Sequence, residues 1–177
     1  MISNPMVEDK NFLDKEQIDY INNFILGSRF PWYLKNYSVK DDNNKFFVHT
    51  VIPRPEERDE TPTYNSPYYK EILGLLKSFV TKHNIEVKEV LRCCVNLTIN
   101  TLKNQCDIHD DHDYPHKQFL MYLNDCVDKE ANTIIYGKEK KYIISPEKFK
   151  AICFDSCPHY MIYPKKDIRV VLVITFR

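Results

Sequence analysis

EVLRCCVNLTIN (89–100), QFLMYLN (118–124), NTIIYG (132–137), KYIIS (141–145), KAICFD (150–155) and DIRVVLVITF (167–176) are short runs rich in Val, Ile, Tyr and Phe, bounded by polar or proline breaks. β-Branched and aromatic side chains suit a pleated, half-buried surface, so these runs predict strands. Too little sequence lies between them for helices to alternate with strands. Upstream, Phe12, Ile18, Ile21, Ile25 and Leu26 recur at helical spacing and Gly27 follows, which predicts a first helix. Ser66-Pro67 opens a second helix, with Tyr69, Ile72, Leu75, Leu76, Phe79 and Val80 on one apolar face. FPWYL (30–34) reads as a short strand or turn and KFFVHTVI (45–52) as a strand. Helices first and strands afterwards predict a mainly β, α+β chain: an antiparallel sandwich or barrel with helices packed on one side.

With 177 residues, 43% of them hydrophobic, the chain can bury one core. The expected organisation is a single domain, with residues 1–84 as a helical support region and loop and 85–177 as the β core. Lys plus Arg and Asp plus Glu both number 25, so a global electrostatic grip on nucleic acid is not indicated. No apolar run reaches the roughly 18–20 residues of a membrane span, and MISNPMVEDKNF has no signal-peptide pattern; a cytoplasmic protein, bacterial or phage, is expected. None of the six cysteines forms a CxxC pair, so zinc-knuckle and thioredoxin-type sites have no support. Three glycines, at 27, 74 and 137, are too few and too scattered for a dinucleotide or phosphate loop. PRPEERDETPTYNSP (53–67), with four prolines and dense charge, is the expected lid near a pocket mouth.

Chemistry concentrates in CDIHDDHDYPHKQFLMYLND (106–125), whose first eleven positions hold three histidines and four aspartates. In extended backbone, residues two apart share a face, so His109 and Asp111 can address one metal ion. His112 has Tyr114 two positions on and cannot form the same pair. A His-x-Asp on its own is common in solvated loops. Here, however, His159 follows the KAICFD run, 48 residues after Asp111, and Arg169 opens the last apolar strand. Two imidazoles and one carboxylate leave coordination positions open, which suits Fe(II) that must also take a co-substrate and O₂. A guanidinium heading a core strand needs an anionic partner. Arg169 shares a face with Val171, Val173 and Thr175, where a bound dicarboxylate could supply that partner; Asp155 or Asp167 could supply it instead.

His109-x-Asp111, then QFLMYLND (118–125), NTIIY (132–136), ISPEKFKAICFDSCPH ending at His159, and Arg169 followed by VVLVITF resemble the Fe(II)- and 2-oxoglutarate-dependent oxygenases. Within these, residues 88–177 are most similar to the prolyl-hydroxylase-like branch of small microbial and phage proteins. The resemblance implies a double-stranded β-helix (jelly-roll, cupin-like) barrel with supporting helices. It implies His109, Asp111 and His159 as iron ligands, Arg169 on the distal carboxylate of 2-oxoglutarate, and Tyr122 hydrogen-bonded to that co-substrate. It further implies hydroxylation of a substrate C–H, with O₂ consumed and succinate and CO₂ as co-products. Two turns depart from the family pattern. Ala131-Asn132 stand where a Gly-Gly or Gly-Asp usually precedes the Thr133 position, and Glu147-Lys148-Phe149 replace the glycine often present near Pro146.

Other residues have blander readings. His112 and His116 fit structural roles better than metal ligation; Asn96 and Thr98 could reach a pocket or satisfy strand polar needs. Trp32 reads as a core aromatic and the lysines at 138–141 and 165–166 as solvated loops, while His49 and His83 carry no signal. Two other functions compete with the oxygenase: a non-catalytic binding or virion-associated module on the same barrel, and a zinc hydrolase using His109, Asp111 and His159, which leaves Arg169 without a task. For the oxygenase, a peptide or protein side chain is the first substrate expected, with a small molecule or nucleobase behind it.

Overall fold

Alternate side chains of the last strand go to two different places. Val170, Leu172, Ile174 and Phe176 join one apolar cluster, while Val171 and Val173 join another. All eight residues of this strand, Arg169–Phe176, are buried. Only a strand covered on both faces reads as an unbroken apolar run, which is why the sequence shows no alternation there.

The computed structural model describes residues 6–37, 44–59, 63–101 and 103–177. In chain order its elements are β1 (Val7–Asp9), α1 (Lys15–Tyr20), β2 (Tyr33–Lys35), β3 (Phe46–Ile52), α2 (Tyr69–His83), β4 (Val90–Thr98), β5 (Lys117–Tyr122), β6 (Thr133–Tyr136), β7 (Lys141–Ile144), β8 (Ala151–Asp155), β9 (His159–Met161) and β10 (Arg169–Phe176). A larger sheet runs β1-β8-β5-β10-β4-β3-β2 and a smaller one β7-β6-β9, and every recorded pairing is antiparallel. Two facing antiparallel sheets with helices behind the larger one form the expected jelly-roll, double-stranded β-helix. Three strands of the larger sheet come from the N-terminal half, so that half builds barrel wall as well as helical support.

The helices behave largely as the periodicity predicts. Asp14 caps α1 by accepting from the Gln17 N–H at 2.8 Å, and the Gln17 side chain accepts the Asp14 N–H in return. The helix does not run evenly from 12 to 26. It starts at Lys15 and widens into a π-turn over Ile21–Ile25, closed by the Leu26 N–H on the Ile21 carbonyl, and this turn buries Ile21 and Ile25. α2 buries Ile72, Leu75, Leu76, Phe79 and Val80 against the outer face of the larger sheet, and Asn84 closes it in left-handed conformation at φ 53°.

Two short strands escaped the sequence reading, β1 and β9. Three residues are too few to show a period, and both strands exist because an open sheet edge pairs with them: β1 with β8 and β9 with β6. The turn after Pro146 keeps the backbone a glycine would favour, although Phe149 stands there at φ 66°. Phe149 donates its N–H to the Tyr122 carbonyl, and the Tyr122 N–H returns to the Lys150 carbonyl, so the turn latches onto the end of β5.

Phe79 is the hinge between helix and sheet packing. It is fully buried, with its ring 5.1 Å from Phe12 and 5.2 Å from Phe119, both edge-on. Phe79→Ala is expected to cost about 3–5 kcal/mol in urea unfolding, the range for emptying such a site. A cost below about 1 kcal/mol would show that the helix is not packed as described.

Candidate metal and co-substrate site

The loop carrying the His-x-Asp is not a regular strand. It joins the smaller sheet at two places: the Cys106 N–H donates to the Met161 carbonyl at 3.1 Å, and the N–H of His109 and of His159 each donate to the other's carbonyl at 3.0 Å. That pair of bonds brings two histidines 50 residues apart in sequence to a ring separation of 4.7 Å. His109 Nδ1 lies 2.9 Å from the Asp107 carbonyl and His159 Nδ1 lies 3.0 Å from the Cys157 carbonyl. A ring nitrogen against a carbonyl carries the proton, so in both rings Nε2 is left as the lone-pair side. Burial pulls the His159 pKa down, against the raising effect of Asp111, which favours the neutral ring a metal requires.

Asp111 completes the group. Its Oδ2 is 3.7 Å from His159 Nε2, and its Oδ1 is held by Arg54 and Arg92. Burial opposes ionisation of Asp111, but Arg92, His159 and Arg54 outweigh it and hold the carboxyl well below the usual range. No group of three or more His, Cys, Asp or Glu among the described residues is already closed around an ion position. The fit to a metal therefore rests on donor chemistry: two lone-pair nitrogens and one carboxylate oxygen on adjoining side chains.

Beyond these ligand candidates, a cavity of about 90 Å³ extends between the sheets, and Asn96, Thr98, Gln118, Thr133 and Arg169 are among its lining residues. Arg169 is 2% exposed. Its Nη2 donates to Thr133 Oγ1 at 2.7 Å, and among the described residues its Nη1 meets only the Met161 sulfur and its buried Nε has no partner. The candidate acids are engaged elsewhere: Asp167 accepts the N–H groups of Val127 and Ile168, and Asp155 pairs with Lys117. Tyr122 lies beneath the guanidinium, 5.2 Å from ring centre to Cζ, and its hydroxyl bonds Thr133 Oγ1 at 2.7 Å. Arg169, Thr133 and Tyr122 thus form one polar corner, at the far end of the cavity from Arg92 and Gln118.

The remaining histidines point elsewhere. His112 Nε2 bonds Thr175 Oγ1 at 2.8 Å, and burial, with Arg54 and His116 adding to it, lowers its pKa to about 4. His116 Nδ1 contacts the Tyr114 carbonyl. His49 sits buried between the Pro31 carbonyl and Ser66. Sequence reading missed three site residues: Arg54, Arg92 and Gln118, whose Nε2 is 3.3 Å from His159 Nε2. Arg92 gave the same signal as Arg169, a charge within an apolar strand, whereas nothing marked Arg54 among its charged neighbours. The expected lid at 53–67 lies beside the pocket but has polar anchors: Arg54 on Asp111, Arg58 on the Leu91 carbonyl at 2.7 Å, and Ser66 on His49. Residues 60–62 of that segment lie outside the described residues.

Two facing antiparallel sheets with a His-x-Asp loop, a distal His and an interior Arg define the double-stranded β-helix class with a candidate metal end. No family model matches the chain, and no curated protein matches it in sequence. Solved structures do match. An oxidoreductase of the 2OG-Fe(II) oxygenase family from Burkholderia pseudomallei superposes with a TM-score of 0.73 at 18% identity, covering 97% of this chain and 84% of that one. A Trichoplax adhaerens prolyl hydroxylase, solved with a hypoxia inducible factor peptide fragment, gives 0.63 at 15% identity over 97% and 82% of the two chains. The viral collagen prolyl hydroxylase of Paramecium bursaria Chlorella virus-1, in a 2OG complex, gives 0.58 at 14% identity over 96% and 94%. The chain has the fold of the 2OG-Fe(II) oxygenases. No helix among the described residues is long and apolar enough to cross a membrane.

An unpaired buried cation costs stability in the ligand-free protein. Arg169→Met should therefore unfold within about 1 kcal/mol of wild type, or above it, in metal-free buffer. A large loss of stability would mean that Arg169 is bonded in a way its surroundings do not show.

Proposed function

We propose that this chain is an Fe(II)- and 2-oxoglutarate-dependent oxygenase that hydroxylates a C–H bond of its substrate. The observation that carries the reading is Arg169, buried with no acid partner among the described residues and facing the cavity that His109, Asp111 and His159 border. A zinc hydrolase or an inert binding module gives that guanidinium nothing to do. The Nε2 atoms of His109 and His159 and Oδ2 of Asp111 would hold the iron. Arg169 would take the distal carboxylate of 2-oxoglutarate through its fork, with Thr133 and Tyr122 keeping the guanidinium in place. When bound, the iron with 2-oxoglutarate and O₂ supplies the oxidation of an unactivated C–H bond, leaving succinate and CO₂. Val171, Val173, Leu120 and Phe46 give the cavity an apolar patch of wall between its polar ends. A peptide or protein side chain is the favoured substrate, in keeping with the peptide bound to the Trichoplax hydroxylase; a small molecule or nucleobase would use the same site.

The test is anaerobic titration of 2-oxoglutarate into iron-loaded wild type and Arg169→Ala, with succinate measured after O₂ is admitted. A charge-assisted contact of this kind is worth about 1.5–3 kcal/mol, so the variant should bind roughly 10- to 150-fold more weakly while Mn(II) affinity stays near wild type. Arg169→Lys should recover part of the loss, since it keeps the charge without the planar fork. Equal affinities, or no succinate from wild type, would sink the oxygenase. The ligand set has its own check: His109→Ala and Asp111→Ala are expected to lose Mn(II) binding by electron paramagnetic resonance, and His112→Ala to retain it. Mn(II) lost equally in His112→Ala would place the metal elsewhere.

A further inference from the structure

Among the described residues, the cavity wall holds three guanidiniums, Arg54, Arg92 and Arg169, and a single carboxylate, Asp111. Arg54 arrives from the proline-rich segment and Arg92 from β4, and both end on the same oxygen. Arg54 Nη2 is 2.9 Å and Arg92 Nη1 2.6 Å from Asp111 Oδ1, while Arg54 Nη1 donates to the Asp111 carbonyl. The function proposed above leaves the Arg54–Arg92 pair without a ligand of its own.

Charge at this place does not balance. Among the described residues three cations face one anion, and a divalent iron with a doubly charged co-substrate cancel each other, so this positive excess persists in the loaded site. Glu57 Oε2 accepts the Arg54 N–H, but Glu56 and Glu57 are both solvent-exposed, where water and salt screen them. The two guanidinium side chains are only 24% and 19% exposed, so a charge placed against them is screened far less. Their donors are also in excess. Each guanidinium carries five N–H groups, yet the recorded acceptors are two atoms of Asp111 for Arg54 and one for Arg92. Nearby, Gln118 Oε1 and Asn96 Oδ1 are buried on the same cavity wall without a partner among the described residues.

This cation pair is separate from the Arg169 corner. In the β4–β10 register Arg92 lies opposite Thr175 and Arg169 opposite Thr98. Six residues of strand, about 20 Å, therefore separate the two backbone positions, and the two arginines enter the cavity from opposite ends.

We propose that the substrate of this site carries a carboxylate, which docks on Arg54 and Arg92 while Gln118 and Asn96 accept hydrogen bonds from its N–H groups. The inference rests on Arg169 being taken by 2-oxoglutarate, which leaves the other two guanidiniums to the substrate. Arg54 then makes the proline-rich segment part of substrate selection.

The experiment measures binding without turnover, by calorimetry on the Mn(II)-loaded full chain saturated with N-oxalylglycine, an isosteric analogue of 2-oxoglutarate. Three probes are compared: N-acetyl-aspartate N-methylamide, its asparagine counterpart, and N-acetyl-alanine. At least one carboxylate probe should bind about tenfold or more tightly than the neutral amide. The aspartate probe alone would indicate an acidic side chain, and N-acetyl-alanine alone a free carboxylate end. Arg54→Gln/Arg92→Gln should erase the preference, Arg54→Lys/Arg92→Lys should keep part of it, and Arg169→Gln without the analogue should leave it intact. Thermal melts and Mn(II) affinity accompany each variant; if the Gln pair loses metal, the comparison is made on metal-free protein, where the same ratio is expected. Equal binding of the three probes, no binding of any, or a preference that survives the double Gln variant overturns the proposal. Failure of N-oxalylglycine to bind, with the carboxylate preference intact, would instead count against the co-substrate reading.

Discussion

Strand β10 is covered on both faces, and this constraint organises the molecule. One set of its side chains closes the core beneath α1 and α2, and the other set faces the space between the sheets. Because the strand is central, with β4 on one side and β5 on the other, every residue it directs inward is committed to a dry interior. A charge in that set is then a decision with a cost. Arg169 occupies such a position, and the described residues supply it a hydroxyl and a ring face but no carboxylate.

The same geometry explains how distant residues become one site. β4, β10 and β5 lie side by side, so Arg92, Thr175 and Gln118 form a row at one end of the interior wall, with Arg169 and Thr98 at the other. The His-x-Asp loop drops onto the first end, where Arg92 takes Asp111, Thr175 takes His112 and Gln118 meets His159. The ligand candidates are thus held by the larger sheet as well as by the bridge between His109 and His159. A fold of this kind hosts many reactions, so the chemistry follows from these side chains and not from the barrel.

Much of this was legible beforehand. The strand runs, the apolar face of α2 and the inward face of β10 follow from periodicity, because burial of one or both faces writes itself directly into residue order. His109, Asp111, His159 and Arg169 were singled out from type and spacing, and Tyr122 through the family resemblance; the structure sets the first four on the borders of one interior space and Tyr122 against the Arg169 guanidinium. β1, β9 and the π-turn were not legible, since each is a local response to a neighbouring edge or to core shape. Ala131-Asn132 and Phe149 show the limit from the other side: residues depart from the family pattern, yet the turn at Phe149 keeps its left-handed backbone.

By itself the sequence determined the class of fold and the inventory of chemistry: a mainly β chain with two helices, two imidazoles, a carboxylate and an arginine in a fixed order. Hydrophobic spacing and the rarity of charge in core strands are properties of the chain alone, so they can be read from it. Which acid answers which base was decided only in three dimensions. Asp155 and Asp167 were candidates for Arg169 in sequence, but their side chains are spent on Lys117 and on backbone N–H groups. Asp111, by contrast, gathers Arg54 and Arg92 from segments 57 and 19 residues away. Pairing of charges depends on distances of a few ångströms across strands and loops, and no local pattern carries that information.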